Sequence, residues 1–275
     1  MMEIFHYTFM QNALIAGILV SFAAGIIGSL IVVNRLVFLA GGIAHSSYGG
    51  IGMALYFGLP IFLGASLFSV GAALLIAALT FRQRHRSDTY IGLIWAVGMA
   101  IGVIFTDLTP GYNTDLMSYL FGSILAVSRE DLWFMGALLL VILLVIHRWY
   151  RQILALSYDA EYAELRGIPT RAFYILILLL SALTVVVAIK VVGLILVIAL
   201  MTIPTHIAER STRTFYGMMM LSGLLASLFT LAGLALSYAY DLTSGACIIL
   251  VAAGAMGIFS LIRFSFRRRH HHKNM

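Results

Sequence analysis

Charge is scarce in this chain. Asp, Glu, Lys and Arg together make 10% of its 275 residues, against roughly 25% in a soluble domain. Water cannot solvate so apolar a polymer, which excludes an ordinary soluble protein. Cysteine is almost absent: the single Cys247 rules out an intrachain disulfide and any multi-cysteine metal or iron–sulfur centre, and reads as a small apolar residue within a span. No long polar stretch is available to build a soluble domain, so residues 1–275 read as one integral membrane domain. His-Glu-x-x-His and any recognisable nucleophile–base pair are missing, which leaves an intramembrane hydrolase without its machinery. The start, Met1 to His6, lacks the basic residues of a cleavable leader, and the apolar run after it is long enough to cross a bilayer.

Hydrocarbon fills the place of charge. Hydrophobic residues make up 62% of the chain, and the mean hydropathy is +1.02. A crossing needs about 20 apolar residues. Runs that qualify are 11–33, 37–57, 60–81, 91–107, 132–148, 172–189, 191–208, 215–238 and 245–262. The expected fold is an all-α polytopic transmembrane bundle of about nine spans, with eight or ten as the alternatives. The hairpin 172–208 has almost no loop. The more polar stretch 108–131 contains Tyr119 to Ala126, which reads as a short re-entrant or interfacial helix.

The net charge of +6 suggests nucleic acid in a soluble protein. Here the bases sit in short loops, which is a topology signal. Arg82, Arg84 and Arg86 mark one loop. Arg148, Arg151, Arg166 and Arg171 mark a second, Arg210 and Arg213 a third, and Arg263, Arg267, Arg268, Arg269 and Lys273 the C-terminus. Nine alternating spans put all of them on one side, the cytoplasmic one. The opposite loops hold Asp107, Asp115, Glu130, Asp131 and Asp241. The N-terminus is then outside and the C-terminus inside. Lys190 falls in an outer turn and is expected to snorkel. The tail 263–275 carries clustered arginines suited to anionic lipid and a His270-His271-His272 triplet suited to loose metal binding.

The segment from Arg35 to Gly52 carries the most chemistry. It places His45, Ser46, Ser47 and five glycines in a run of membrane depth. An intramembrane histidine is a functional hypothesis by default. Its imidazole can offer nitrogen to zinc, manganese or iron, or it can pair with a neighbouring helix as packing glue. Ser46 and Ser47 read more readily as helix contacts than as ligands. His206 follows Pro204 near the cytoplasmic end of a span, as an exit ligand or an interfacial histidine. Asp107 sits at the outer mouth, where it can attract cations or simply be hydrated. Met218, Met219 and Met220 are consecutive and face three directions on a helix, so they read as packing residues rather than a copper site.

Loop 149–171 carries a short helix over 157–168. Ser157 or Asp159 can cap it, and Gly167 ends it with Pro169 just beyond. Ala160, Ala163 and Leu165 suit the groove of a partner protein, or an amphipathic connector at the membrane interface.

In sequence order, these motifs resemble the permease subunits of bacterial ABC importers for zinc, manganese and iron, over residues 10–262. The resemblance rests on Ala40-Gly41-Gly42-Ile43-Ala44-His45 where the family has Gly-Asp-x-x-x-His, and on Ser87-Asp88-Thr89-Tyr90-Ile91-Gly92. It continues through Phe121-Gly122-Ser123-Ile124-Leu125, Asp159 with Ala163 and Gly167, Val192 through Pro204, and Asp241-Leu-Thr-Ser-Gly245. Two departures stand out. The family's aspartate four residues before the histidine is Gly41, and Asp241-Leu-Thr lacks the usual proline.

The resemblance implies a half-transporter in the bacterial plasma (inner) membrane. A second copy of the chain completes the channel, and separate ATPase subunits dock at the 157–168 helix through Asp159, Ala163 and Gly167. An extracytoplasmic protein delivers the metal, with zinc favoured over manganese or iron. His45, Ser46, Asp107 and His206 are the candidate path residues. No cofactor is held permanently, and nucleic acid is no partner. The chain lacks Gly-x-x-x-x-Gly-Lys-[Ser/Thr], so ATP hydrolysis belongs to another subunit. The competing class is an ion-coupled secondary metal transporter with no ATPase.

Overall fold

The computed structural model describes residues 7–81, 87–110 and 121–272, with side chains as far as Phe264. Arg82, Arg84, Arg86, Asp115, the first two residues of the 119–126 segment and Lys273 lie outside the described residues, as do Met1 to His6.

Long apolar runs become helices because only a helix satisfies every backbone polar group within the segment. The elements are α1 (Thr8–Val33), α2 (Val37–Phe57), α3 (Ile61–Thr80), α4 (Ser87–Asp107), a 3-10 turn (Ile124–Ala126), α5 (Arg129–Tyr158), α6 (Ala160–Leu165), α7 (Thr170–Val192), α8 (Val197–Ser211), α9 (Phe215–Tyr240) and α10 (Ser244–His272). No strand occurs among the described residues. α1 and α7 form the sheltered centre, while α4, α5 and α10 turn most of their surface outward. α2 packs between α4 and α3, and α1 packs on α9, α5, α8 and α7.

Among the described residues, seven helices are long and apolar enough to cross a membrane: α1, α3, α4, α5, α7, α9 and α10 as far as Phe264. The other two expected spans have physical reasons to fall short. α2 carries His45, two serines and five glycines, and is sheltered by its neighbours. α8 has 15 residues, about 22 Å of helix. The tight 172–208 hairpin is broken at Gly193 (φ +86) and a turn over 194–196.

Contacts sort the helix ends into two groups. At one end, Asn34 after α1 donates to Ser157 Oγ near the end of α5 at 2.9 Å. Thr80 at the end of α3 meets the Tyr174 hydroxyl near the start of α7 at 2.8 Å. At the other end, Phe62 of α3 stacks edge-on with Phe134 of α5, and Tyr56 of α2 does so with Phe105 of α4. Gly122 lies there too: a side chain on it would come within 2.3 Å of Gly193 N, and its φ of +73 suits glycine alone.

The structure corrects three expectations. Lys190 does not merely snorkel. Its ammonium forms an ion pair with Asp131 and sits 5.1 Å from the centre of the Phe62 ring. Asp131 also closes a capping box with Ser128, which starts α5. The span 132–148 does end at a kink, Trp149 (φ −123, ψ 23), but the expected loop beginning at 149 stays helical from there to Tyr158. The 157–168 helix shrinks accordingly to Ala160–Leu165.

Candidate functional site

His45 lies midway along α2, half-buried, with its Nδ1 buried and without a hydrogen-bond partner. Its ring stacks on Trp95 of α4, with centroids 4.3 Å apart and planes 8° from parallel. The indole N–H of Trp95 points along its own helix to Met99 Sδ at 3.1 Å. α2 and α4 approach closely here: a methyl on Gly98 would lie 2.6 Å from Ser46 Cα. Small residues permit such contact between membrane helices.

Ser46 and Ser47 turn back on their own helix. Ser46 Oγ donates to Ile43 O at 3.0 Å and Ser47 Oγ to Ala44 O at 2.6 Å. Both are fully buried, and Ser46 lies in the α2–α4 contact against Gly98.

The position four residues before His45 is filled from outside. A Cβ on Gly41 would lie 2.3 Å from Ile198 Cδ1 and 3.9 Å from Trp95 Cζ3. Ile198 begins a half-buried stripe on α8 that continues through Thr202 to His206 at spacing i, i+4, i+8. Thr202 bonds back to Ile198 O at 2.8 Å. His206 Nδ1 lies 3.9 Å from Glu209 Oε2 one turn on.

Asp107 ends α4 and is exposed. It stands 12 residues from Trp95, about 18 Å along the helix, so it lies away from the His45 site. No group of three or more His, Cys, Asp or Glu side chains gathers at one point among the described residues. Cys247 is buried and free.

The α6 segment is well specified. Asp159 Oδ1 accepts from Tyr162 N at 2.9 Å as the N-cap, while Ser157 is engaged by Asn34. Gly167 N donates to Glu164 O at 2.9 Å and Ile168 N to Ala163 O at 3.1 Å, with Gly167 at φ +75. This is a Schellman ending, which explains the glycine. Ala163 is fully buried by α5 and α7 of the same chain, so it does not present itself to a partner. The exposed apolar side chains here are Tyr158, Tyr162 and Leu165, beside exposed Glu161, Glu164 and Arg166.

The family model described as the ABC 3 transport family matches residues 6–263. This chain belongs to the ABC 3 transport family. An uncharacterized membrane protein of Synechocystis sp. is 47% identical over 98% of this chain and 94% of its own length. A manganese transport system membrane protein, MntC, of Halalkalibacterium halodurans is 34% identical over 91% of this chain and 86% of its own. Among solved structures, PsaBC from Streptococcus pneumoniae in complex with Fab superimposes with a TM-score of 0.82 at 31% identity, covering 92% of this chain and 91% of that one. Family and apolar helices together make this ABC 3 member a multi-pass protein of the bacterial plasma (inner) membrane.

Sequence reasoning missed Trp95, Met99, Ile198 and Glu209 in this ABC 3 chain. Trp95 and Met99 carried a weak signal, one turn apart on α4 beside the Gly98 and Gly102 stripe. Ile198 carried none, because only packing reveals that it fills the space over Gly41.

Proposed function

We propose that this ABC 3 family member is the membrane-spanning subunit of an ATP-driven importer for divalent transition-metal ions, and that His45 is a transient ligand on the path. The observation that carries the reading is the buried His45 Nδ1 without a partner. A buried polar atom is normally hydrogen-bonded, and an ionisable side chain at membrane depth is by default a candidate for an ion pathway. The names of relatives at 31–36% identity, which refer to metal or manganese transport, support the substrate class.

Nine crossings, with α2 and α8 joining the seven apolar helices, fit the two groups of helix ends. Arg35, Arg166, Arg171, Arg210, Arg213 and Arg263 then share the cytoplasmic side with α6. The N-terminus is outside and the C-terminus inside. The half-exposed stripe of His45, Trp95, Ile198, Thr202 and His206 suits a homodimer. Lipid would leave its polar atoms unsatisfied, whereas a second copy would enclose them in a shared channel.

Separate ATPase subunits dock against Tyr158, Tyr162 and Leu165, and an extracytoplasmic protein delivers the ion near Asp107. Imidazole without the neighbouring carboxylate favours zinc over manganese. The relatives' names favour manganese, so competition between the two ions is the informative measurement.

The test is nucleotide-dependent uptake of zinc and manganese by the complex reconstituted with its ATPase and delivery protein. His45→Ala is expected to slow uptake at least tenfold, a loss in the ~10–100-fold range for a metal-site residue, while the homodimeric complex still assembles. Uptake that needs no nucleotide would instead favour an ion-coupled secondary transporter.

A further inference from the structure

We infer that Trp95 is a positioning residue for the cation: by stacking on the His45 imidazole it fixes the orientation in which that ring meets the ion. The inference rests on the reading of His45 as a path ligand.

Several observations converge on it. The near-parallel stack at 4.3 Å covers one face of the imidazole. A metal bonds to a neutral ring nitrogen through its in-plane lone pair, so a covered face costs the ion nothing, while rotation of the ring becomes hindered. Nδ1 is enclosed by the protein and has no hydrogen-bond partner. Nothing in the protein therefore competes for that lone pair, and no hydrogen bond orients the ring as usually happens for a metal-binding histidine. The stack takes over that orienting task.

Trp95 is itself held. Its N–H is bonded to Met99 Sδ, and the Gly98 contact with Ser46 locks α4 against α2 one residue from His45. Its far ring edge faces the Gly41 position together with Ile198. That position lacks the carboxylate that would otherwise steer the ion. An indole face also attracts positive charge. An imidazole carrying a dication thus stacks more favourably than a free one, and the ring is held best while the ion is bound.

Two readouts test this. The first uses the complex with its ATPase and compares the parent, His45→Ala, Trp95→Phe and Trp95→Leu in zinc and manganese uptake. Trp95→Phe keeps a flat ring and is expected to retain at least half of the parent rate. Trp95→Leu keeps apolar bulk without a ring and is expected to lose about tenfold, the cost of removing a group that orients a metal ligand. The second readout is spectroscopic. Trp133→Phe with Trp149→Phe leaves Trp95 as the only tryptophan of the three in the chain. Added Zn2+ or Mn2+ is expected to change its emission saturably, and His45→Ala is expected to abolish that change.

Full uptake in Trp95→Leu beside lost uptake in His45→Ala would overturn the role of Trp95 and leave His45 on the path. Full uptake in both would overturn the path assignment as well. Should Trp95→Leu fail to assemble, the single-tryptophan protein still decides: emission indifferent to either ion at millimolar concentration overturns the proposal.

Discussion

At the scale of single residues, the site is defined by a missing side chain. Gly41 removes the carboxylate that would stand one helical turn from His45, and Ile198 occupies the vacated volume at 2.3 Å from where a Cβ would be. Gly41→Asp therefore meets a steric obstacle before any electrostatic one. Forcing extra atoms into a packed site costs about 1–3 kcal/mol, and a carboxylate at that depth adds a desolvation cost. The single variant is expected to express poorly. Gly41→Asp with Ile198→Ala opens the volume and places a carboxylate and an imidazole at i, i+4 on one face. The double variant is expected to raise manganese uptake relative to zinc, because hard oxygen donors suit manganese. Competition between the two ions during uptake checks this, and an unchanged ratio in an assembled double variant would contradict it. His45 was legible from sequence because a histidine in an apolar run needs a reason. Trp95 and Ile198 were not, because the relative rotation of α2, α4 and α8 decides which side chains meet, and none of those helices encodes it alone.

At the scale of elements, α6 carries the sharpest consequence. The cap at Asp159 and the stop at Gly167 were readable, since both rest on local backbone chemistry. The face was readable only in part: Leu165 and Ala163 were both read as suiting a partner's groove, and Leu165 is 88% exposed while Ala163 is fully buried within its own chain. An apolar side chain that exposed, flanked by Tyr158 and Tyr162, marks the surface that a partner can cover. Leu165→Arg is expected to leave the bundle folded and to abolish stimulation of the ATPase, since losing an apolar anchor typically costs about 2 kcal/mol or more of docking. Ala163→Arg is expected to fail earlier, at folding, because it buries a charge without a partner. Thermal stability of the purified chain and ATP hydrolysis by the complex separate the two outcomes. Equal ATPase stimulation in Leu165→Arg would show that docking lies elsewhere. The same limit of sequence reasoning applies to α5. Its apolar run ends at a kink at Trp149, beyond which the chain stays helical to Tyr158, so hydropathy marked the break and missed the helical turns after it.

At the scale of the whole molecule, charge and contacts bear on one topology. The Lys190–Asp131 pair joins the end of α7 to the start of α5, and Asn34 with Ser157 joins the end of α1 to the end of α5. The two contacts involve opposite ends of α5, and the proposed nine alternating crossings would leave Glu130 outside and Leu165 inside. Among the described residues, seven helices are recognisable as crossings by apolarity. α2 hides from such a criterion because the helices around it, rather than lipid, surround its polar atoms. The scarcity of cysteine makes the arrangement directly testable. Cys247 is the sole thiol and is buried, so Cys247→Ser supplies a background without reactive sulfur. Glu130→Cys and Leu165→Cys then place one exposed thiol at each end of the bundle. A membrane-impermeant maleimide added to intact spheroplasts is expected to label Glu130→Cys at once and Leu165→Cys only after the membrane is opened. The reverse pattern would invert the bundle and put α6 beyond the reach of any cytoplasmic ATPase. Labelling of both from outside would mean an even number of crossings between them, which a single passage of α5 forbids.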